Sequence, residues 1–213
     1  RVDWAVNQAL GQGLVAIIDM HHYLEIFEKP YDHKERFLGM WKQIAERYQG
    51  YSPDVYFELL NEPNGKLTTQ LWGEFAAEAV ELVRRTNPTR PILLGPGEWN
   101  SASQLVHFTV PEDENLIITF HYYSPFHFTH QGAEWAPGSE EWLGTSWDGS
   151  DSLRRSMRSD LNLAARWGKE NNRPIFLGEF GAYSKADMDS RVLWTDAVAR
   201  PAGRPGSVEP GRE

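Results

Sequence analysis

The sequence predicts an α/β protein of parallel β/α units: an incomplete (β/α)8 TIM barrel, with about strands 3 to 7 and their helices present. Three observations carry that prediction. Apolar, β-branched runs alternate five times with amphipathic helical patterns, the order that βαβ units require. No strand is followed by the Gly-rich phosphate loop of a nucleotide-binding open sheet, the other architecture that right-handed parallel crossovers build. Polar residues cluster where strands end: His21-His22, Asn61-Glu62, His121 to Tyr123, and Glu179. In a barrel those C-terminal strand ends converge on one face, where the chemistry is kept.

The elements follow in order. Val2, Val6, Ala9 and Leu10 share a helical face, and Gly11 and Gly13 stop that helix. "LVAIIDMHHY", Leu14 to Tyr23, is a continuous apolar run and predicts a strand buried on both faces. Phe37, Leu38, Trp41, Ile44, Ala45 and Tyr48 repeat at helical spacing over 34–48. A strand is expected over 55–60, a helix over 68–86, and a short strand in "PILLG", Pro91 to Gly95. A brief helix at 104–108 precedes the strand "NLIITFHYY", Asn115 to Tyr123. A long Gly-, Ser- and Trp-rich loop runs to about Ser150, followed by a helix over 153–169, the strand "PIFLGEFG", and a helix over 185–199. The barrel fragment is assigned to residues 1–200. The remainder, 201–213, has Pro and Gly without apolar periodicity and is expected to be disordered or non-native. Five strands against eight, with a helix leading, suggest a chain lacking two strands in front and one behind.

Composition narrows the function. The 213 residues hold 9 Trp, 8 Tyr and 10 Phe, flat faces suited to stacking on sugars or bases. A net charge of −9 argues against a nucleic-acid polyanion and leaves carbohydrate as the better ligand class. The absence of cysteine excludes disulfides and thiolate metal sites. No run approaches the ~20 apolar residues of a membrane span, and the first residues do not read as a signal peptide.

Glu62 and Glu179 each close an apolar strand without a basic residue within two positions. Either could cap the helix that follows it. As a pair, joined by His and Tyr at neighbouring strand ends, they suit hydrolysis of a glycosidic bond, in which one carboxyl protonates the leaving oxygen while the other attacks the anomeric carbon or activates water. His21 and His22 are not expected to chelate a metal, because adjacent strand residues point to opposite faces. Trp135, on the long loop, could be a sugar platform or a packing residue. Trp41, Trp72, Trp167 and Trp194 fall in helical patterns and are expected to pack, while His33 and His107 are expected at the surface.

"HH" after an early strand, "NEP" closing a later one, "HYY" between the glutamate strands and "GEFG" closing the last resemble glycoside hydrolase family 5, the endoglucanase and mannanase family of clan A. The resemblance covers about residues 1 to 200. It implies a retaining endo-β-1,4-glucanase, with β-mannanase as an alternative, Glu62 as acid/base and Glu179 as nucleophile. It further implies that Asn61 binds the sugar 2-hydroxyl, that His121 and Tyr123 orient the carboxyls, and that His21, His22, His130 and Trp135 contact substrate. It implies a secreted protein that needs no cofactor or metal, is monomeric at full length, and acts on a β-linked polysaccharide. An Arg on the family's second strand and a Trp ending its eighth have no counterpart here. An inactive, carbohydrate-binding fragment is therefore the competing reading, and one with open sheet edges could self-associate.

Overall fold

The computed structural model describes residues 1–202, and most of the predicted tail lies outside the described residues. Helices and strands alternate as α1 (Val2–Gly11), β1 (Ala16–Asp19), α2 (Leu24–Glu28), α3 (Pro30–Tyr48), β2 (Val55–Glu58), α4 (Thr69–Arg84), β3 (Ile92–Leu94), α5 (Gly97–Asn100), β4 (Leu116–Tyr122), α6 (Phe126–Thr129), α7 (Asp151–Glu170), β5 (Ile175–Phe180) and α8 (Met188–Ala202). All pairings in the five-stranded sheet are parallel, and the strands stand in chain order, β1-β2-β3-β4-β5. A doubly wound sheet reverses its strand order at a switch point, and this one does not. Sequential right-handed crossovers put the helices on one face, so the fold is a half-barrel of α/β type, as the alternation predicts.

Two indoles tie outer helices to strand ends. Trp41 of α3 is fully buried and donates Nε1–H to the Leu59 carbonyl at 2.8 Å. Trp72 of α4, also fully buried, donates to the Gly95 carbonyl at 2.9 Å. Each thereby packs a helix and satisfies a backbone acceptor just past β2 or β3, the region that carries the site. At the opposite end of the strands, buried Arg90 donates to the Ser52 carbonyl at 3.0 Å and the Tyr48 carbonyl at 2.8 Å. Trp194 of α8 is buried against Tyr122 in a stacked contact at 6.1 Å.

Several expectations are corrected. The strand predicted across 14–23 is only Ala16–Asp19, and it is not buried on both faces: Ile17 is 40% exposed. β1 pairs only with β2 among the described residues, so its outer side has no strand to cover it. The helix expected from 34 begins at Pro30, which suits the first helical turn because its missing N–H needs no partner there. The last helix, expected over 185–199, is Met188–Ala202. His33 is half-buried, its Nδ1 3.0 Å from the Tyr23 hydroxyl, rather than free at the surface. Trp147 is 1% exposed and belongs to the core, with Arg154 over its ring. Among the described residues no helix is long and apolar enough to cross a membrane.

Candidate active site

The strand ends bring the two glutamates to one histidine. His121 Nδ1 lies 2.7 Å from Glu62 Oε1 and 3.6 Å from Glu179 Oε2. One ligand atom from each of these three side chains lies within 4.8 Å of the others. A small cation would fit among them in distance, yet Nδ1, the nitrogen it would need, is taken up by the short bond to Glu62.

Local backbone geometry makes this convergence. Past β2 the chain turns at Glu62 with φ +46°, a left-handed conformation that lifts the side chain out of strand alternation. Asn61 N–H donates to the Met20 carbonyl at 3.1 Å, Asn64 Nδ2 to the Glu62 carbonyl at 2.8 Å, and Trp99 N–H to the Pro63 carbonyl at 3.2 Å. The Asn-Glu-Pro turn is therefore pinned on three sides, with Pro63 fixing the exit. On β4 the register to β5 shifts between Phe120 and His121, so that His121 stands opposite Glu179. Such bulges re-aim side chains, and here the shift places the histidine against the second carboxylate.

Glu179 accepts a hydrogen bond from the Tyr123 hydroxyl at 2.9 Å. Burial, together with this bond and the carboxylate charge, raises the phenol well above its ordinary value, so it stays a donor. His130 touches the Tyr123 ring edge-on at 5.1 Å, and burial lowers its pKa, which favours the neutral ring. Trp135 is 63% exposed and stands edge-on to Tyr183 at 5.0 Å. A large apolar face left open beside polar groups is what a sugar platform requires.

Across the cleft, His21 Nδ1 is 2.7 Å from Asp19 Oδ2, and its Nε2 is 3.4 Å from Asn61 Nδ2. Burial disfavours the His21 cation, but the hydrogen bond and charge of Asp19 outweigh it, and the net shift is upward. His22 is exposed, its ring 4.8 Å from that of His21 and tilted by 48°. All nine predicted positions thus lie on one face of the half-barrel. Three hydrogen-bonded pairs form among them, His121 with Glu62, Tyr123 with Glu179 and His21 with Asn61, whereas His22, His130 and Trp135 stand around them.

Three residues escaped the sequence reading. Asp19 and Glu58 are register partners on β1 and β2. Burial and the facing Asp19 charge push Glu58 up to about 7, and burial raises Asp19 as well. Both acids interrupt apolar runs, "IIDM" and "FELL", and that interruption was the available signal. Asn100 had no such signal, because its place depends on the left-handed turn of α5, where Glu98, Trp99 and Asn100 have φ of 52°, 56° and 55°.

Comparison with known proteins agrees with this geometry. The family model described as Cellulase (glycosyl hydrolase family 5) matches residues 1–202. Endoglucanase H of Acetivibrio thermocellus is 37% identical over 199 residues, 93% of this chain and 21% of that protein. Cellodextrinase A of Ruminococcus flavefaciens is 27% identical over 208 residues, 93% of this chain and 62% of that protein. Thermotoga maritima Cel5A, solved with mannotriose and with cellobiose, superposes with a TM-score of 0.92 at 48% identity, covering 94% of this chain and 65% of that one. The chain thus spans less than two thirds of the length of these relatives.

Proposed function

The chain belongs to glycosyl hydrolase family 5, and from that premise we propose that it carries the catalytic pair of a retaining endo-β-1,4-glucanase. The observation that supports this most is the single histidine nitrogen within 2.7 Å of one carboxyl and 3.6 Å of the other. Retaining glycosidases hold their carboxyls ~5–5.5 Å apart, whereas inverting enzymes leave ~6.5–9.5 Å for a water. Ligand atoms within 4.8 Å of each other favour the first class.

In this reading Glu179 Oε attacks the anomeric carbon while Glu62 gives its proton to the departing glycosidic oxygen. The glycosyl–Glu179 ester is then cleaved by water, whose proton passes to the Glu62 carboxylate. Tyr123 donates to Glu179 and keeps its other oxygen aimed at the sugar. Asn61 meets the 2-hydroxyl, an interaction that strengthens as positive charge develops on the ring. His21, His22, His130 and Trp135 line the sugar path. Secretion of the whole protein, a monomeric state and action on cellulose, carboxymethylcellulose or lichenan belong to the same proposal. Because a 48% identical relative was solved with mannotriose, β-mannan is the second substrate to compare.

The test is release of reducing sugar from carboxymethylcellulose by the 213-residue chain, repeated with Glu179→Gln. The proposal expects turnover that disappears in the variant. Binding of cellulose without turnover would replace it with the carbohydrate-binding reading, and initial rates on glucan, mannan and xyloglucan would rank the substrates.

A further inference from the structure

His121 is almost wholly buried between two carboxylates, and its second nitrogen is not free. Nε2 lies 3.3 Å from Nδ2 of Asn100, a fully buried side chain. Three further features concern how that amide is delivered. Glu98, Trp99 and Asn100 all adopt left-handed φ, a conformation that strains bulky residues. The space the amide occupies exists because residue 95 is glycine: a Cβ there would lie 2.3–2.7 Å from the Asn100 amide atoms. The amide carbonyl Oδ1 is buried with no hydrogen-bond partner, which is itself unfavourable. A strained turn, a glycine cradle and an unmatched carbonyl are all tolerated so that one N–H can reach one imidazole nitrogen. The adjoining residue adds to this, since Ser101 forms an isolated parallel bridge with His121.

We propose that Asn100 is a positioning residue that keeps His121 a neutral imidazole with its one proton on Nδ1, facing Glu62 and Glu179. An amide N–H directed at Nε2 needs a lone pair there, so the ring proton is confined to the carboxylate side. The inference rests on the assignment of Glu62 as the acid. Glu62 from the β2 exit and Glu179 from β5 contact His121, Glu58 of β2 and Asp19 of β1 act from farther off, and Tyr123 lies on its own chain segment. A charged His121 would hold the Glu62 proton less tightly and deplete the acid form before substrate arrives.

Two variants test this, and both suit the left-handed backbone. Asn100→Asp is nearly isosteric and replaces the donor by an acceptor that stabilises Nε2–H. Asn100→Gly removes the amide without new strain. In the 213-residue chain, long-range ¹H–¹⁵N spectra, with the His121 signal identified by its absence in His121→Gln, should give a neutral Nδ1–H ring at neutral pH. Asn100→Asp should convert it to the doubly protonated ring. The alkaline limb of kcat/KM should then move to lower pH by about 1 unit or more, with the acid limb in place and folding intact by circular dichroism. Asn100→Gly should release the ring from the Nδ1–H tautomer and move the limb in the same direction by less. An unchanged His121 spectrum in folded Asn100→Asp overturns the proposal, whatever the activity. A converted spectrum with an unmoved alkaline limb shows that Glu62 is not the acid His121 controls, and overturns the linkage proposed here.

Discussion

Glu62 follows an interior strand and Glu179 stands on an outer one, and their settings differ accordingly. β2, β3 and β4 each have strands on both sides, Trp41 and Trp72 are fully buried behind them, and Glu62 sits in a turn pinned to Met20, Asn64 and Trp99. Among the described residues β5 has a strand on one side only, its Phe176 and Phe180 are 41% and 37% exposed, and Glu179 owes its place to Tyr123 and to the register shift opposite His121. β1 matches β5 in this respect, with Ile17 open on its outer side. The proposed acid/base therefore sits in a turn pinned by the backbone and bonds His121 at its carboxyl, while the proposed nucleophile relies on side-chain contacts on a more lightly packed strand. A proton carrier has to be aimed at two successive partners, the leaving oxygen and water, whereas the nucleophile needs one line of attack and a donor that keeps it ionised.

That contrast can be broken most forcefully at the proposed nucleophile. Glu179→Gln should reduce hydrolysis of carboxymethylcellulose by about 10³-fold or more, with an unchanged thermal midpoint. A large loss of stability instead would mean that Glu179 is a structural group on β5. The next comparison concerns packing. Trp72→Ala removes a buried indole and its bond to the Gly95 carbonyl, so urea unfolding should show a loss of about 3–5 kcal/mol. Phe176→Ala on β5 should cost less than about 1.5 kcal/mol, because that ring is already 41% exposed. Equal losses would remove the difference between interior and edge.

Glu58 sharpens the comparison through pH. Its folded value of about 7 lies above the ordinary 4.5. Between those values the folded chain holds a proton that the unfolded chain releases, so stability is fully present below the window and falls as pH rises through it. The whole fall should be on the order of 3 kcal/mol, and Glu58→Gln should flatten it, measured by urea unfolding from pH 4.5 to 7.5. The smallest effect belongs to the exposed platform. Trp135→Ala should raise KM several-fold, about 1 kcal/mol, with kcat little changed.

Much of this was legible in the sequence because it is periodic or local. The β/α alternation, the strand-end position of Asn61-Glu62 and the helix-packing role of Trp41, Trp72 and Trp194 all follow from spacing over a few residues. What was missed depends on partners far along the chain. Ile17 reads as interior because its neighbours are apolar, yet it is 40% exposed on a strand that pairs on one side only among the described residues. Pro63 announced a turn, but the left-handed φ of Glu62 was not written in it. Asn100 is one polar letter in "PGEWN", and its bond to His121 requires the α5 turn, the cradle at Gly95 and the shifted register of β4 together.

The central claim is that Glu62 and Glu179 flank one bond closely enough for a covalent intermediate. ¹H NMR of the first sugar released from a β-1,4-glucan oligosaccharide tests it most directly. The account predicts that the β-anomer appears first and mutarotates only later to the equilibrium mixture. Initial appearance of the α-anomer would mean a single displacement by water, and would contradict it.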